Sequence, residues 1–181
     1  MKKGNKTQYA ILGVLSIQPM CGYEIRKAMD GSIRYFWQES NGQLYPTLAN
    51  LAKNKLVNVE TQTVGKKNRK VYSITTLGKN KLKDWLNQST EYYPARNELV
   101  LKLFFGQNVP AKISIKHLEN HIERCQIALK IYRDIETQLE AEIKQKTRPV
   151  YFLLAVKAGV KAVEAELDWC RESITLINKH K

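Results

Sequence analysis

The stretch SNGQLYPTLANLAKNKLVNVETQTVGKKNRKVYSITT, which spans residues 40–76, changes its hydrophobic periodicity halfway along. Three leucines in its first half recur at positions i, i+4 and i+7, the spacing of an apolar stripe on a helix. In the second half the side chains alternate in character over 57–63 and again over 70–74, which is typical of strands. The glycine and basic residues of 65–69 have the composition of a hairpin turn. The stretch therefore predicts a helix followed by a two-stranded β-hairpin.

Three further helices are expected around this stretch, over 9–17, 22–30 and 77–86. Gly31 should end the second of these, because glycine takes a positive φ at low cost. The resulting order of three helices, two strands and a fourth helix is that of a winged helix-turn-helix. The predicted fold class is therefore mainly α with a small two-stranded β wing, and an N-terminal winged helix-turn-helix occupies residues 1–90.

Residues 91–181 predict a second domain made of helices. A short helix is expected over 97–105, and a long amphipathic helix should begin at Pro110 and end before Pro149. A last helix is expected over 150–177. Two long amphipathic helices cannot bury their apolar stripes alone, so they must pack on each other and on a partner. We therefore expect residues 91–181 to be a helical dimerisation domain.

The chain of 181 residues carries a net charge of +13, which is concentrated in its first half. Residues 1–90 contain 15 basic and 5 acidic side chains, a net +10, whereas residues 91–181 contain 15 and 12, a net +3. A positive field attracts polyanions such as nucleic acid, an anionic membrane surface or acidic proteins. Basic side chains at the hairpin tip would lie along a nucleic-acid backbone and make binding salt-dependent. These side chains are Lys66, Lys67, Arg69 and Lys70.

The predicted third helix carries a polar face opposite its leucine stripe. Gln43 and Asn50 offer amides that both donate and accept, which suits bidentate reading of adenine in the major groove. The methyl group of Thr47 suits contact with thymine, and the hydroxyl of Tyr45 suits a flanking phosphate. We therefore expect double-stranded DNA as the partner. The alternatives are a solvated polar face with a flexible charged loop, an RNA-binding winged helix, and a helical protein-interaction module without DNA specificity.

Several short segments between residues 9 and 86 form a distinctive set. They are Gly22-Tyr23-Glu24-Ile25, Phe36-Trp37, Gln43-Leu44-Tyr45-Pro46, Leu56-Val57 and Arg69-Lys70-Val71-Tyr72-Ser73-Ile74-Thr75, followed by Gly78. With these segments, residues 9–86 resemble the winged-helix domain of the PadR-like transcriptional regulators. Residues 93–106 and 166–169 are similar to the helical C-terminal domain of the longer family members, so the likeness covers almost the whole chain.

The resemblance implies a homodimer, built largely by the C-terminal helices, that places two recognition helices on a palindromic operator. Family members usually repress transcription, and several respond to small aromatic molecules. This chain departs from the family in two places. It has Lys55 where a glycine is common, so Asn54 is expected to take the left-handed conformation instead. Ser40-Asn41-Gly42 replaces the Ser-Pro-Gly that opens many family recognition helices.

Several aromatic residues are candidates for lining a pocket that takes a planar effector. The alternative is that they belong to the core and to interfaces, where their large apolar area is equally useful. The candidates are Phe36, Trp37, Tyr93, Phe104 and Trp169.

One group of residues has the spacing of metal ligands. His117, His121 and Cys125 fall at i, i+4 and i+8 on one face of the predicted long helix, where imidazole and thiolate can hold zinc. Cys125 also belongs to the apolar stripe, and the sequence shows no second cluster to complete a metal site. A buried thiol flanked by two surface histidines is therefore favoured, and no metal or other cofactor is expected.

The remaining sequence features exclude other classes. The chain lacks the nucleophile and phosphate-binding motifs of common enzymes, so we do not expect catalysis. Its three cysteines are widely separated, and no apolar run approaches the length of a spanning helix. We therefore expect a cytoplasmic protein that does not interact with a membrane.

Overall fold

The computed structural model describes residues 6–33, 37, 41–64, 67–91, 96–145 and 150–180. The chain divides into two compact units, Met1–Tyr92 and Tyr93–Lys181. No helix in the described part of the chain is long and apolar enough to cross a bilayer.

The first unit contains four helices and three strands among its described residues. They are α1 (Thr7–Leu15), β1 (Met20–Cys21), α2 (Gly22–Asp30), α3 (Asn41–Lys53), β2 (Val57–Val64), β3 (Lys67–Ile74) and α4 (Thr76–Leu86). The core forms where α1, which is apolar on most of its surface, packs on α2, α3 and α4. The three leucines of the predicted stripe, Leu44, Leu48 and Leu51, are all buried in this core. The mainly α fold with an N-terminal winged helix-turn-helix is thus confirmed.

The sheet has three antiparallel strands in the order β1-β3-β2, so the prediction of a two-stranded wing is wrong. The hairpin of β2 and β3 was predicted, and it pairs from Val57 opposite Ile74 to Val64 opposite Lys67. The added strand, β1, has two residues, which pair with Tyr72 and Val71. Two residues are too few to show an alternating pattern, and their pairing depends on a segment 50 positions later in the chain.

The connection from α3 to β2 contains the one non-glycine residue with positive φ in the described part of the chain. That residue is Lys55, with φ 56°, so the expectation that Asn54 would be left-handed is wrong. The Lys55 N–H donates to the Ala52 carbonyl and the Leu56 N–H donates to the Leu51 carbonyl, each at 2.9–3.0 Å. This is the bond pair of a Schellman motif, which requires the left-handed residue two positions after the last helical residue.

Gly31 does not use its conformational freedom. α2 ends at Asp30 with Gly31 as its C-cap, as predicted, but the φ of Gly31 is −86°, so the expectation that this residue takes a positive φ is wrong. The Gly31 N–H instead donates to the Lys27 carbonyl, as a continuing helical turn would.

The second unit is built on two long antiparallel helices. Its described elements are α5 (Glu98–Phe104), a 3-10 helix (Gly106–Asn108), α6 (Ala111–Lys144) and α7 (Tyr151–Lys179). Seven of the buried residues repeat every seven positions along their helices, the spacing of a coiled-coil seam. They are Leu118, Cys125, Tyr132 and Leu139 on α6, and Leu153, Val160 and Leu167 on α7.

Gly159 allows close packing at the middle of this seam. A Cβ at position 159 would lie 2.8 Å from Cζ of Tyr132, so the tyrosine ring sits directly on the backbone of α7. Ion pairs flank the seam, with Lys157 Nζ at 2.7 Å from Glu136 Oε1 and Arg133 Nη2 at 2.7 Å from Glu164 Oε1. The packing of α6 on α7 therefore uses the apolar repeat and complementary charges together.

Candidate DNA-binding surface

Helix α3 presents a line of small and cationic residues away from the core. Residues separated by three or four positions share a face of a helix, and the outermost line consists of Gly42, Pro46, Ala49 and Lys53, all exposed. A Cβ built on Gly42 would meet nothing within 4 Å, so the protein's own packing does not require glycine there. A helix with so little bulk on its outer line can approach another surface closely. The sequence interpretation missed this line, although its spacing from Gly42 to Lys53 is visible in the sequence.

Gln43 and Asn50 are exposed beside this outer line, as predicted. Thr47 is not, because only 4% of its surface is accessible. The expectation that Thr47 shares the outward face is therefore wrong. Its position on α3 lies between the polar edge and Leu51, and the unit's core covers it.

The Asn50 side chain is held in place by its neighbour one turn later. Asn54 Nδ2 donates to Asn50 Oδ1 at 2.7 Å and to the Asn50 carbonyl at 2.8 Å. An amide oxygen can accept a second hydrogen bond, and the Asn50 amide also has two donor hydrogens. Asn50 therefore still offers a hydrogen-bond donor and a hydrogen-bond acceptor to a base edge, while Asn54 holds its side chain in place.

Tyr45 lies against the start of α2. A Cβ at Gly22 would lie 2.8 Å from Cε1 of Tyr45, so glycine at position 22 makes room for the ring. Tyr45 remains more than half exposed. Burial raises the pKa of the neighbouring Tyr72, and the Tyr45 phenol raises that pKa further. The exposed Tyr45 is therefore positioned next to the N-terminal end of α2, where backbone N–H groups and the helix dipole favour an anion.

Arg69 is engaged within the protein. Its Nη1 lies 3.5 Å from Glu24 Oε1, and Glu24 Oε2 accepts a hydrogen bond of 2.7 Å from the Cys21 N–H at the start of α2. That N–H, followed by the Cys21 thiol, holds the pKa of Glu24 below its usual value, and Arg69 adds to the effect. This chain of contacts ties the wing to α2. Arg69 therefore has a structural partner that the charge pattern of the sequence did not reveal.

The other cationic residues predicted on the wing do not all lie on one face of the hairpin. Lys70 is exposed on β3 opposite Thr61, and because strand residues alternate, Lys70 and Arg69 lie on opposite faces of the hairpin. Lys67 belongs to β3 by its backbone, but its side chain is outside the described part of the structure, and Lys66 lies outside the described residues altogether. The four cations thus do not form a single-sided patch.

The residues expected around an effector are only partly described. Phe36 and Tyr93 lie outside the described residues. Trp37 is half-buried in the first unit and Trp169 is half-buried on α7. Phe104 is 79% exposed and contacts Phe105 edge-on, with ring centroids 5.0 Å apart, so it does not line an enclosed cavity within its own unit.

A cleft in the second unit has the character expected of a site for a small apolar ligand. It measures about 360 Å³ and lies between α5 and the start of α6. Its lining is mostly apolar and also includes the side chains of Lys102 and His117. The lining comprises Leu101, Lys102, Phe105, Val109, Ile113, Ser114 and His117. The sequence interpretation had singled out Phe104, whereas its neighbour Phe105 is the residue that reaches this cleft.

The histidine and cysteine residues with metal-ligand spacing separate into two places. His117 lines the apolar cleft, whereas His121 and Cys125 contact Glu166 of α7. Cys125 is buried, and this burial, followed by the charge of Glu166, raises the pKa of its thiol to about 11. The contact with Glu166 could not be anticipated from the spacing along α6.

Comparison with known proteins accounts for both units. Residues 11–84 match the family described as Transcriptional regulator PadR-like family, and residues 95–178 match the family described as Virulence activator alpha C-term. The Negative transcriptional regulator PadR of Bacillus subtilis (strain 168) is 32% identical over 95% of this chain and 97% of its own length.

Solved structures show the same fold. The crystal structure of Bacillus subtilis PadR in complex with operator DNA has a TM-score of 0.87 at 21% identity, and covers 97% of this chain and 99% of that one. The structure of the same regulator in complex with p-coumaric acid has a TM-score of 0.75 at 21% identity, and covers 94% and 98%. Given the 32% identity along nearly the whole length, this chain belongs to the PadR-like family of transcriptional regulators, as its sequence motifs predicted, and not to a family of enzymes.

Proposed function

We propose that this protein is a sequence-specific DNA-binding repressor that acts as a homodimer on a palindromic operator in the cytoplasm. The observation that carries the proposal is the exposed surface of α3, where a line of low bulk lies beside two exposed amide side chains, Gln43 and Asn50, and Asn54 holds the second of these in place. The relative of 32% identity is a negative transcriptional regulator, and the regulator from the same species has been solved on operator DNA, which supports the same role here.

In this proposal α3 enters the major groove with its outer line facing the floor of the groove. Gly42 and Ala49 allow the backbone to come close, and Gln43 and Asn50 reach base edges from the side. Thr47 is left out of the reading set because it is buried. Its methyl group supports the core of the domain.

The proposed phosphate contacts surround this helix. Tyr45 holds one phosphate beside the start of α2, and Lys53 holds another at the far end of α3. On the wing, Lys70 and the tip lysines Lys66 and Lys67 supply salt-dependent attraction. Arg69 instead keeps the wing attached to α2 through Glu24.

Dimerisation is supported by the apolar surface that the second unit leaves exposed. Large apolar side chains on all three of its helices are more than half exposed, and a single copy cannot cover them. They include Leu101, Phe104, Ile127, Tyr151, Leu154 and Leu176. A second copy that buries these residues would bring two α3 helices to one palindromic site.

We further propose that a small aromatic acid relieves repression. The apolar cleft beside Lys102 and His117 suits an aromatic ring and a carboxylate, and a family member has been solved with p-coumaric acid. If p-coumaric acid at millimolar concentration neither releases bound DNA nor shifts thermal unfolding, this part of the proposal is wrong. The DNA-binding part would be unaffected.

The central test compares operator DNA with random duplex. Fragments selected from the source genome by the full-length protein would supply the operator, and fluorescence anisotropy would give both affinities. Gln43→Ala should lower the affinity for the operator by about 10-fold or more while leaving random DNA unchanged, because a bidentate base contact contributes about 1–3 kcal/mol of discrimination. Gln88→Ala, an exposed glutamine just after α4, is the matched control.

The alternatives give different outcomes in the same experiment. Equal losses on operator and random DNA would show that Gln43 does not read bases. Preference for structured RNA over duplex in competition would favour an RNA-binding winged helix. A monomer at micromolar concentration in analytical ultracentrifugation would contradict the palindromic-operator model.

A further inference from the structure

Side chains with metal-ligating atoms meet where α6 packs on α7. His121 and Cys125 lie one turn apart on α6, and Glu166 lies opposite them on α7. His121 Nε2 is 2.8 Å from Glu166 Oε2, and Cys125 Sγ is 3.6 Å from the same oxygen. The ligating atoms of these three residues all lie within 4.8 Å of one another.

Cys170 adds a second thiol to this group. It lies one turn after Glu166 on α7 and is completely buried. Because residues four positions apart share a face of a helix, Cys170 lies on the same side of α7 as Glu166, which contacts Cys125. Each helix of an antiparallel pair thus contributes two candidate ligands at i and i+4, an arrangement from which helical bundles build metal sites.

The spacing of the three measured atoms matches the size of a tetrahedral ion. Zinc binds nitrogen and oxygen at about 2.0–2.2 Å and sulfur at about 2.3 Å, so its ligand atoms lie about 3.3–3.8 Å apart. The Cys125–Glu166 separation of 3.6 Å falls within this range, the His121–Glu166 separation of 2.8 Å is about 0.5 Å shorter, and none of the three exceeds 4.8 Å. Small side-chain rotations about fixed helices would therefore admit the ion.

The four side chains differ in exposure, so that a bound ion would be enclosed on one side and reachable from solvent on the other. Cys125 and Cys170 lie at the interior end and are almost inaccessible. The side chains of His121 and Glu166 are 26% and 49% exposed, which leaves a route for the ion from solvent. Arg124 lines a cleft shared with His121, and its positive charge would offset the net negative charge of an ion bound by two thiolates and one carboxylate.

We propose that His121, Cys125, Glu166 and Cys170 bind a thiophilic divalent cation, zinc above all, that ties α6 to α7. On binding, each thiol releases its proton to solvent and its sulfur forms a bond to the ion. The ion also replaces the hydrogen bond between His121 and the Glu166 carboxylate, and no oxidation state changes. Two sulfur ligands and an imidazole favour zinc or cobalt over magnesium or calcium, which prefer oxygen ligands.

Cobalt(II) is the probe that tests the site directly. The full-length protein, freed of metal by a chelator and kept reduced with a phosphine, is titrated with cobalt chloride. We expect a thiolate-to-cobalt charge-transfer band in the near ultraviolet, visible bands of a tetrahedral centre, saturation at one ion per chain, and loss of all these bands on addition of zinc.

Variants assign the ligands. Cys125→Ser and Cys170→Ser should each weaken the charge-transfer band strongly, whereas Cys21→Ser, which changes the cysteine of the first unit, should keep it. Substitutions at the buried positions 125 and 170 can impair folding. Glu166→Gln therefore provides a second test at a half-exposed position. It should weaken cobalt binding at least about 10-fold, while Glu172→Gln, an exposed change on the same helix, should not.

The proposal is overturned if the wild-type protein shows no charge-transfer band with equimolar cobalt. It is also overturned if Cys21→Ser removes the band, or if Glu166→Gln and Glu172→Gln bind cobalt equally well. DNA binding is measured separately, so none of these outcomes depends on the proposed repressor function.

Discussion

Gly78 lies so close to Leu56 that a Cβ at position 78 would be 2.1 Å from the Leu56 carbonyl oxygen. That oxygen accepts a hydrogen bond of 3.1 Å from the Thr75 N–H, and the Thr75 hydroxyl accepts one of 3.0 Å from the Gly78 N–H. The start of α4 is thereby fastened to the start of β2. Only glycine allows this contact, because the obstacle is backbone that cannot rotate away.

Gly78→Ala should therefore lower the free energy of unfolding by about 2–3 kcal/mol, the upper part of the range for overpacking. Urea unfolding followed by circular dichroism measures the change. Gly13→Ala is the matched control, since a Cβ at position 13 would meet nothing within 4 Å. In the interior of α1 it should be neutral or stabilising by about 0.5–1 kcal/mol. If Gly78→Ala and Gly13→Ala change the free energy of unfolding equally, the close contact between Gly78 and Leu56 is contradicted.

Lys55→Gly should stabilise the protein by about 0.5–1 kcal/mol. A residue with a side chain in the left-handed conformation costs about 1–2 kcal/mol, and glycine removes this cost from the folded state. Part of the gain is cancelled because glycine also has more conformational freedom in the unfolded chain. Lys53→Gly, two residues earlier and still in α3, should instead destabilise by up to about 1 kcal/mol. Thermal unfolding of the two variants should thus move in opposite directions, and a shared direction would contradict the Schellman geometry.

Glu24→Gln should lower stability at neutral pH and have little effect in acid. The pKa of Glu24 is lowered in the folded protein, so the charged carboxylate contributes stability above its ordinary value of 4.5, and that contribution is lost as the pH falls through the lower folded value. Melting temperatures at pH 7 and pH 3 measure the effect. Glu60→Gln, an exposed change on β2, serves as control, and a gap that persists at pH 3 would show that the charge of Glu24 is not its cause.

Asn50→Ala and Thr47→Ala should affect different properties, DNA discrimination in the first case and stability in the second. Asn50→Ala should reduce operator discrimination by about 1–3 kcal/mol with little change in stability, since Asn50 is exposed. Thr47→Ala should mainly lower stability, because Thr47 is buried. Anisotropy on operator and random DNA, together with thermal unfolding, separates the two effects. If Thr47→Ala folds stably but discriminates less between operator and random DNA, Thr47 does contact bases.

Lys70→Ala should reduce the slope of log affinity against log salt by about 1, the effect of losing one phosphate contact. Arg69→Ala should change this slope less and should lower thermal stability, because Arg69 contacts Glu24. Affinity for random duplex between 50 and 200 mM salt measures both slopes. Equal slopes for the two variants would show that Arg69 also holds a phosphate.

Features that repeat within a short window were predictable from the sequence. The leucines of α3, the alternation of β2 and β3 and the heptad spacing of α6 and α7 each reflect one face of one element turning toward apolar surroundings, so the pattern is complete within that element. These features were enough to predict the winged helix-turn-helix and the helical second half.

What the sequence left open depends on contacts between distant segments. The strand β1 exists only because β3 offers it backbone partners, and the role of Arg69 depends on Glu24, 45 positions earlier. Thr47 sits at an angular position between the polar and apolar faces of α3, where neighbouring helices decide whether it is covered. Likewise the spacing of His117, His121 and Cys125 offered candidate ligands from one helix only. Only the antiparallel packing of α6 on α7 brings Glu166 to them, because a periodic pattern records that a face is buried and not which residues cover it.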